Sequence, residues 1–144
     1  MRINPAKQKE VDKYLYAMKS HLRNLREKRK PDFKSGRWLR KIKGAGVYAV
    51  FEKKELVYVG ETEDFQRRMR EVKSFLHVLP IKIFKIKKGQ RIPDKKRKEM
   101  RRWMEDNFGF AFLPLKLGRK ELEEWIIQRD NPKYQGRKKQ QSQA

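Results

Sequence analysis

Apolar residues recur at two different spacings along this chain, and the spacing separates the predicted helices from the predicted strands. Between residues 5 and 29 they lie three and four apart, with Lys and Arg filling the other positions. This spacing predicts an amphipathic helix that Pro31 ends. We expect its apolar stripe to pack on the domain; association of chains through the stripe, or contact with nucleic acid, stays open. The stripe consists of Val11, Tyr14, Leu15, Met18, Leu22 and Leu25.

Three short runs have the β-branched and aromatic residues typical of strands. They are Val47–Phe51, Leu56–Val59 and Leu79–Ile86, and Pro80 suits the start or an edge of the third. The segment Phe110–Leu115 is either a buried connector or a further short strand. Together with the helices, these runs predict an α+β domain.

The loop between the first two runs decides where their tyrosines point. A two-residue turn at residues 53 and 54 would need positive φ at two lysines. It would also put Tyr48 opposite Val59, on the other sheet face from Tyr58. A three-residue loop from Glu52 to Lys54 pairs Tyr48 directly with Tyr58. We therefore expect the three-residue loop, with both phenols on one face of the sheet.

A helix predicted over residues 64–76 distinguishes two adjacent arginines. Thr62 or Asp64 can cap its start. Its apolar line places Arg68 at the edge of the buried arc and Arg67 on the opposite, solvated side. Arg68 is thus the arginine held near the domain. The apolar line consists of Phe65, Met69, Val72 and Leu76.

The last predicted helix, over residues 119–130, carries a glutamate within its apolar arc. Glu123 falls between Ile126 and Ile127 around the helix axis, whereas Glu121 and Glu124 fall outside the arc. A carboxylate in an apolar face is costly unless it is paired or bound to a cation. Glu123 is therefore a candidate functional residue.

A helix predicted over residues 94–107 combines a docking side with a dense basic run. Met100, Trp103 and Met104 lie on one side, so we expect its second half to dock. Ten Lys or Arg lie between residues 85 and 102 against two acidic residues, which favours a phosphate-contacting surface over a merely solvated helix face. These ten are Lys85, Lys87, Lys88, Arg91, Lys95, Lys96, Arg97, Lys98, Arg101 and Arg102.

Charge over the whole chain points to a polyanionic partner. There are 40 Lys and Arg against 18 Asp and Glu, a formal net charge of +22. Nucleic acid is favoured over membrane, because aromatic residues are interleaved with the basic ones and no apolar run reaches the roughly 20 residues that span a bilayer. The N-terminus lacks the apolar core of a secretory signal, and the absence of cysteine fits a reducing compartment. We expect a cytoplasmic or nucleoid-associated protein.

Two triplets in the strand runs, Gly46-Val47-Tyr48 and Tyr58-Val59-Gly60, give the chain a resemblance to the GIY-YIG nucleases. That family includes homing endonucleases, excision-repair nuclease subunits and structure-specific nucleases. Its members carry an arginine eight residues beyond the glycine of the second triplet, which is Arg68 here. They also carry a glutamate nine residues before a proline, which is Glu123 before Pro132.

The resemblance implies a metal-dependent endonuclease on a three-stranded antiparallel sheet flanked by helices. Tyr48 would act as, or orient, the general base, and Tyr58 would be hydrogen-bonded into the same site. Arg68 would hold the scissile phosphate, and Glu123 would bind one Mg²⁺ or Mn²⁺, mainly together with waters. The substrate would be nucleic acid, DNA rather than RNA. The alternative is a catalytically silent protein of this fold that binds RNA or the ribosome.

The chain departs from the family pattern at two positions. Val72 stands where many members have His or Tyr, and Gln135 stands where many have Asn. The first puts an auxiliary proton-transfer group in doubt, and the second a structural contact near the glutamate. His77 lies outside the pattern, and we expect it to be a surface or packing residue.

The domain organisation follows from these elements. We expect a basic N-terminal helix and connector over residues 1–43, the nuclease-like domain over 44–135 and a disordered basic tail over 136–144. In the connector, Phe33 and Trp38 favour anchoring on the core over stacking on bases.

Overall fold

A three-stranded antiparallel sheet forms the centre of the molecule. The computed structural model describes residues 4–28 and 42–135, with side chains described for 4–20 and 42–135. The strand order is β2-β1-β3, and helices cover both sheet faces. The predicted α+β class, with an antiparallel three-stranded sheet and an N-terminal helix, is confirmed. The elements are α1 Pro5–Lys28, β1 Gly46–Glu52, β2 Glu55–Thr62, α2 Phe65–Lys73, α3 Val78–Phe84, α4 Asp94–Asn107, β3 Phe108–Pro114 and α5 Arg119–Asp130.

The turn between β1 and β2 is shorter than predicted. Glu52 pairs with Glu55, so the turn consists of Lys53 and Lys54 alone, with φ of 51° and 75°. The predicted three-residue loop is wrong. Each left-handed lysine costs about 1 kcal/mol, but a two-residue turn with positive φ at both positions matches the twist of the strands it joins.

A β-bulge nevertheless brings both tyrosines to one face of the sheet. Val57 is an extra residue in β2, so Val57 and Tyr58 both lie opposite Val50. Tyr48 pairs with Gly60 rather than with Tyr58, which contradicts the predicted pair. It still shares a face with Val50 because it lies two residues earlier in the strand. The expectation of two phenols on one face is confirmed, and their ring centroids are 6.1 Å apart.

The third strand lies later in the chain than the run predicted for it. Leu79–Ile86 is not a strand; most of it forms α3. Pro80 is the third residue of this helix, where a missing N–H leaves no intrahelical bond unmade. The strand is β3, so the short-strand alternative for Phe110–Leu115 is the correct one. Alternating apolar residues over so short a run do not distinguish a strand from a buried helix.

The helix α2 ends earlier than predicted, and the residues after its end are buried and exposed at other positions than a continued helix would give. The helix stops at Lys73, after which Phe75 takes a left-handed conformation with φ of 62° and is buried. Leu76 is exposed, so its predicted place in the apolar line is wrong. At the start of α2 the cap is Asp64, whose side chain accepts a hydrogen bond from Arg67 N.

Alternate residues of the strands fill two separate cores. One core lies under α2, α3 and α4, and the other lies under α1 and α5. The first contains Tyr48, Val50, Val57, Tyr58, Phe65, Met69, Val72, Phe75, Leu79, Met100, Met104, Phe108, Phe110 and Phe112. The second contains Val11, Leu15, Met18, Val47, Ala49, Phe51, Val59, Ala111, Leu122, Ile126 and Ile127. The second half of α4 docks as predicted, through Met100 and Met104.

The N-terminal helix packs on the domain, as favoured from its stripe. Besides its apolar contacts, the ammonium of Lys7 lies 4.5 Å from the centroid of the Trp125 ring, and Asp12 pairs with Arg129. No helix within residues 4–28 and 42–135 has the length and apolar character needed to cross a membrane. The predictions for Phe33, Trp38, the tail and the side chains of Leu22 and Leu25 lie outside the described residues.

Candidate active site

The glycines of the two triplets allow close contacts that a side chain would block. A Cβ at Gly60 would lie 2.5 Å from Cζ of Tyr48, so the phenol ring lies directly over this glycine. A Cβ at Gly46 would lie 2.5 Å from Cζ of Phe112 and would also meet the backbone oxygen of Leu113. The missing side chain at Gly46 therefore lets β3 approach β1, and the missing side chain at Gly60 leaves room for the Tyr48 hydroxyl above β2.

The Tyr48 hydroxyl meets a histidine that the sequence did not assign to the site. Its oxygen lies 2.7 Å from Nε2 of His77. Tyr48 is 2% exposed and His77 5% exposed. Of the two expectations for His77, a surface position is wrong and a packed one is confirmed, but the packing is against the two tyrosines of the candidate site. Its position follows from α3, since His77 is the N-cap of a helix that was predicted as a strand.

Hydrogen bonds around His77 fix the direction of the contact with Tyr48. Nδ1 accepts from the backbone N–H of Leu79 at 2.9 Å. In the neutral ring the single proton is then on Nε2, which donates to the Tyr48 oxygen. A hydrogen bond with Tyr58 is among the causes that raise the pKa of Tyr48.

The pKa values in this group favour neutral side chains at physiological pH. Burial is the main cause that raises the pKa of Tyr48 well above its ordinary value, followed by the charge of Tyr58; Arg68 lowers it and Glu123 raises it. Burial, followed by the positive charge of Arg68, lowers the pKa of His77 to about 4. Tyr48 is thus a phenol and His77 a neutral imidazole at pH 7.

Arg68 presents a donor edge beside this group. Its Nη1 donates to Glu71 at 2.9 Å. Its Nε is buried and has no hydrogen-bond partner among the described residues. Nε and Nη2 form the edge that faces away from Nη1, and two parallel N–H groups on one guanidinium edge match two oxygens of a phosphate. Arg67 is exposed, as predicted.

Glu123 approaches the same phenol from α5. It is half-buried, and its negative charge is one of the causes that raise the pKa of Tyr48. One turn earlier, Nε of Arg119 donates to Glu61 at 3.1 Å, in an ion pair that is mostly buried. This pair fastens the start of α5 to the end of β2, next to Gly60. Of the four residues selected from the sequence, Tyr48 and Tyr58 are thus in contact distance, and Arg68 and Glu123 act on Tyr48 through their charges, from α2 and α5.

The donor set fits a hard cation that keeps most of its own ligands. Among the described residues, no group of three or more His, Asp or Glu could hold a metal ion. Mg²⁺ is commonly bound by one or two carboxylates, with water and substrate phosphate completing its coordination. Glu123 could supply that one carboxylate for Mg²⁺ or Mn²⁺.

The predicted basic surface lies on α4 and on the connection before it. Of its ten residues, Arg97 and Arg101 are half-buried and the other eight are exposed. Arg101 Nε donates to the carbonyl of Lys73 at 3.0 Å, and its guanidinium lies 5.4 Å from the Phe75 ring centroid. The basic helix is therefore attached to the loop that carries His77.

The two departures from the family pattern have different outcomes. Val72 is buried in the core and offers no proton-transfer group. Gln135 contacts the backbone of β2. Its amide oxygen accepts from Val59 N at 3.1 Å, and its amide nitrogen donates to Val59 O at 2.9 Å. The side chain thus satisfies the backbone of β2 on its outer edge, as a neighbouring strand would.

Comparison of the chain with family models, with curated proteins and with solved structures finds no match in any of the three. Its assignment to the GIY-YIG nucleases therefore rests on the residues and on their geometry, and it stays a hypothesis.

Proposed function

We propose that the chain is a metal-dependent endonuclease of the GIY-YIG type, which hydrolyses phosphodiester bonds in nucleic acid, DNA in preference to RNA. The observation that carries the proposal is the placement of Tyr48 and Tyr58 on one sheet face with ring centroids 6.1 Å apart, where the charges of Arg68 and Glu123 both act on Tyr48. These residues come from four elements. A buried phenol, an arginine and a carboxylate around one point suit phosphoryl chemistry.

Arg68 binds the scissile phosphate in this proposal. Its Nε–Nη2 edge supplies two parallel donors, and the buried Nε gains the partner that it lacks in the described chain. The positive charge of the guanidinium stabilises the negative charge that builds on the phosphoryl oxygens.

The burial of Tyr48 distinguishes the two roles that the resemblance implied for it. Hydrolysis takes one proton from the attacking water and returns one to the leaving oxygen. Because burial keeps Tyr48 protonated at neutral pH, it orients the general base rather than accepting the proton itself. The water's proton passes through that base to solvent, and the leaving oxygen takes its proton from solvent. Tyr58 lies beside Tyr48 in the same site, with ring centroids 6.1 Å apart.

Glu123 holds the divalent cation. A bound Mg²⁺ or Mn²⁺ supplies Lewis-acid polarisation of a phosphoryl oxygen. With a single protein carboxylate, affinity for the cation depends on the substrate's own oxygens. Cation binding is therefore expected to be weak in the free protein and stronger in the complex with nucleic acid.

A cleavage assay with matched variants tests the site. Supercoiled plasmid, branched DNA and structured RNA are incubated with Mg²⁺ or Mn²⁺ and the wild-type protein, Arg68→Ala or Glu123→Gln. Each substitution is expected to lower the rate by about 100-fold or more. Arg67→Ala and Glu121→Gln, at exposed neighbouring positions, are expected to leave it unchanged. Metal-dependent cleavage that survives both site substitutions would refute the assignment.

Binding through the basic surface has its own measurement. Replacing Lys95, Lys96 and Arg97 by alanine is expected to reduce the slope of log affinity against log salt concentration by about two to three units. An unchanged slope would place the phosphate contacts elsewhere.

The same experiments distinguish the alternative function. The charge of +22 is high for a nuclease domain and would suit a protein with many phosphate contacts on folded RNA. Absence of cleavage on all substrates, together with tight and salt-sensitive RNA binding, would support the binding-only alternative.

A further inference from the structure

Two exposed apolar side chains flank the histidine of the candidate site. Leu76 is 75% exposed and Val78 37% exposed, on either side of His77. The other large apolar side chains exposed in the described part of the chain are Tyr16 and Leu117. Exposed apolar residues scattered singly need no explanation, but these two directly precede and follow a residue of the candidate site.

The backbone holds Leu76 outward rather than leaving it loosely placed. Phe75 is buried in a left-handed conformation, which an aromatic residue adopts only when its surroundings require it. Leu76 N donates to the carbonyl of Glu71 at 2.9 Å, which fixes the next residue as well. Had α2 continued to residue 76, Leu76 would lie in its apolar line and be buried. The exposure therefore comes from a strained turn that also carries His77 to Tyr48.

The chain on both sides of these two residues is strongly basic in sequence. Residues 67–102 contain fifteen Lys and Arg against three acidic residues. Arg101, on α4, is bonded to Lys73 and packs against Phe75, so the basic helix adjoins the same turn. A partner for this surface must offer negative charge and an apolar face at short range. A nucleic acid with an exposed base does both, because phosphates border the flat face of each base.

We propose that Leu76 and Val78 form an apolar edge that contacts an unstacked nucleobase beside the scissile phosphate. This inference rests on the proposed function, and it names the substrate class for that site. Bases inside a continuous duplex have their faces covered by their neighbours, so an aliphatic side chain must unstack them at a cost in free energy, which an existing interruption of the stacking removes. The preferred substrate is therefore a nucleic acid with an unpaired nucleotide at the cut, at a branch, bulge or gap.

Binding of paired oligonucleotides tests the inference. One DNA is a continuous duplex, and the other has the same sequence with a single unpaired 2-aminopurine at its centre; both are titrated with the full chain in Ca²⁺, to limit cleavage. The wild type is expected to bind the interrupted duplex about fivefold more tightly, with a change in 2-aminopurine fluorescence. Leu76→Ala is expected to remove most of the preference and the fluorescence change, while Leu76→Phe keeps both.

Tyr16→Ala, which removes an exposed side chain on the helix covering the opposite sheet face, is the matched control and is expected to keep the preference. An equal loss of affinity for both DNAs in Leu76→Ala, or no loss, would overturn the inference. So would a lower melting temperature of Leu76→Ala without a change in preference, because Leu76 would then be covered within the protein.

These outcomes are separate from failure of the proposed function. If the wild type binds or cuts neither DNA nor RNA, the function itself fails. If it cuts them but Leu76→Ala keeps the substrate preference, only the base contact is wrong.

Discussion

The two faces of the sheet are built from the same strands but carry different chemistry. Within the described residues, the buried cluster under α1 and α5 consists of apolar side chains, which are aliphatic except for Met18 and Phe51. The face under α2, α3 and α4 also buries two phenols, with a histidine beside them. The two sets of side chains alternate along each strand. Tyr48 and Val47, for example, are neighbours in β1 and point to opposite faces.

The difference is the reason to look for chemistry on one face rather than the other. Burying a hydroxyl or an imidazole costs free energy unless each polar atom gains a partner. On the polar face, the hydrogen-bond partners of His77 and Tyr48 within residues 4–28 and 42–135 include each other, Leu79 N and Tyr58. Apolar residues at these positions would stabilise the fold without such requirements. The buried polar groups, next to an arginine whose buried Nε has no partner among the described residues, make this face the candidate for chemistry.

Substitutions on opposite faces are expected to separate activity from stability most clearly. Gly60→Ala places a methyl group against the Tyr48 ring, and is expected to lower cleavage by about 100-fold through displacement of the phenol, with about 1–3 kcal/mol loss of stability. Leu15→Ala on the other face is expected to lower the free energy of unfolding by about 2–5 kcal/mol at unchanged cleavage rate. Urea denaturation and single-turnover cleavage measure the two quantities.

Equal effects of these two substitutions on cleavage, each measured on fully folded protein, would contradict the division between the faces. A second member of the apolar face, Met18→Ala, provides the repeat measurement.

The buried histidine is expected to make stability depend on pH. The pKa of His77 is about 4 in the folded protein and about 6.5 when unfolded, so the unfolded state takes up the proton first as pH falls. The stability that the neutral ring provides is complete above pH 6.5 and falls between pH 6.5 and pH 4. Below pH 4 the free energy of unfolding is lower by about 3 kcal/mol. The groups that face the ring are Tyr48, Tyr58 and Arg68, and the positive charge of Arg68 is a cause of the lowered pKa of His77.

His77→Asn isolates this effect. Asparagine keeps an acceptor for Leu79 N at the start of α3 but does not titrate. The difference in unfolding free energy between wild type and variant, measured from pH 7 to pH 4, is expected to shrink as pH falls. A constant difference over that range would show that His77 is already protonated or is not buried.

The sequence predicts the residue types at the site better than the path of the chain. The helical spacing of apolar residues distinguishes Arg68 from Arg67 and places Glu123 within an apolar face, because these positions depend only on helical geometry. Neither the two-residue turn nor the bulge at Val57 was predicted. Two lysines at positive φ are stabilised by the twist of the whole hairpin rather than by their own conformational preferences. His77 was missed for a similar reason. Its role depends on α3, and an alternating run of apolar residues concealed that helix.

The backbone at the outer edge of β2 is expected to be stabilised by Gln135. Its amide bonds both backbone groups of Val59, and Gln135→Ala leaves both without that partner. A loss of about 2 kcal/mol is expected, with faster amide exchange at Val59. Gln128→Ala removes an exposed glutamine with one long hydrogen bond and is expected to change stability by less than about 0.5 kcal/mol. Unchanged exchange at Val59 in Gln135→Ala would contradict the assigned role.

The smallest effect is expected at Glu71, which orients the arginine of the polar face. Glu71 occupies Nη1 of Arg68 and so leaves the Nε–Nη2 edge for phosphate. Glu71→Ala is expected to lower kcat by about tenfold, because the guanidinium loses its fixed plane. Glu71→Gln keeps an oxygen acceptor and is expected to restore most of the rate. Glu10→Ala, the same change at an exposed site on α1, is the control for net charge. If Glu71→Ala instead cleaves faster or lowers KM, the carboxylate competes with the substrate phosphate for Arg68.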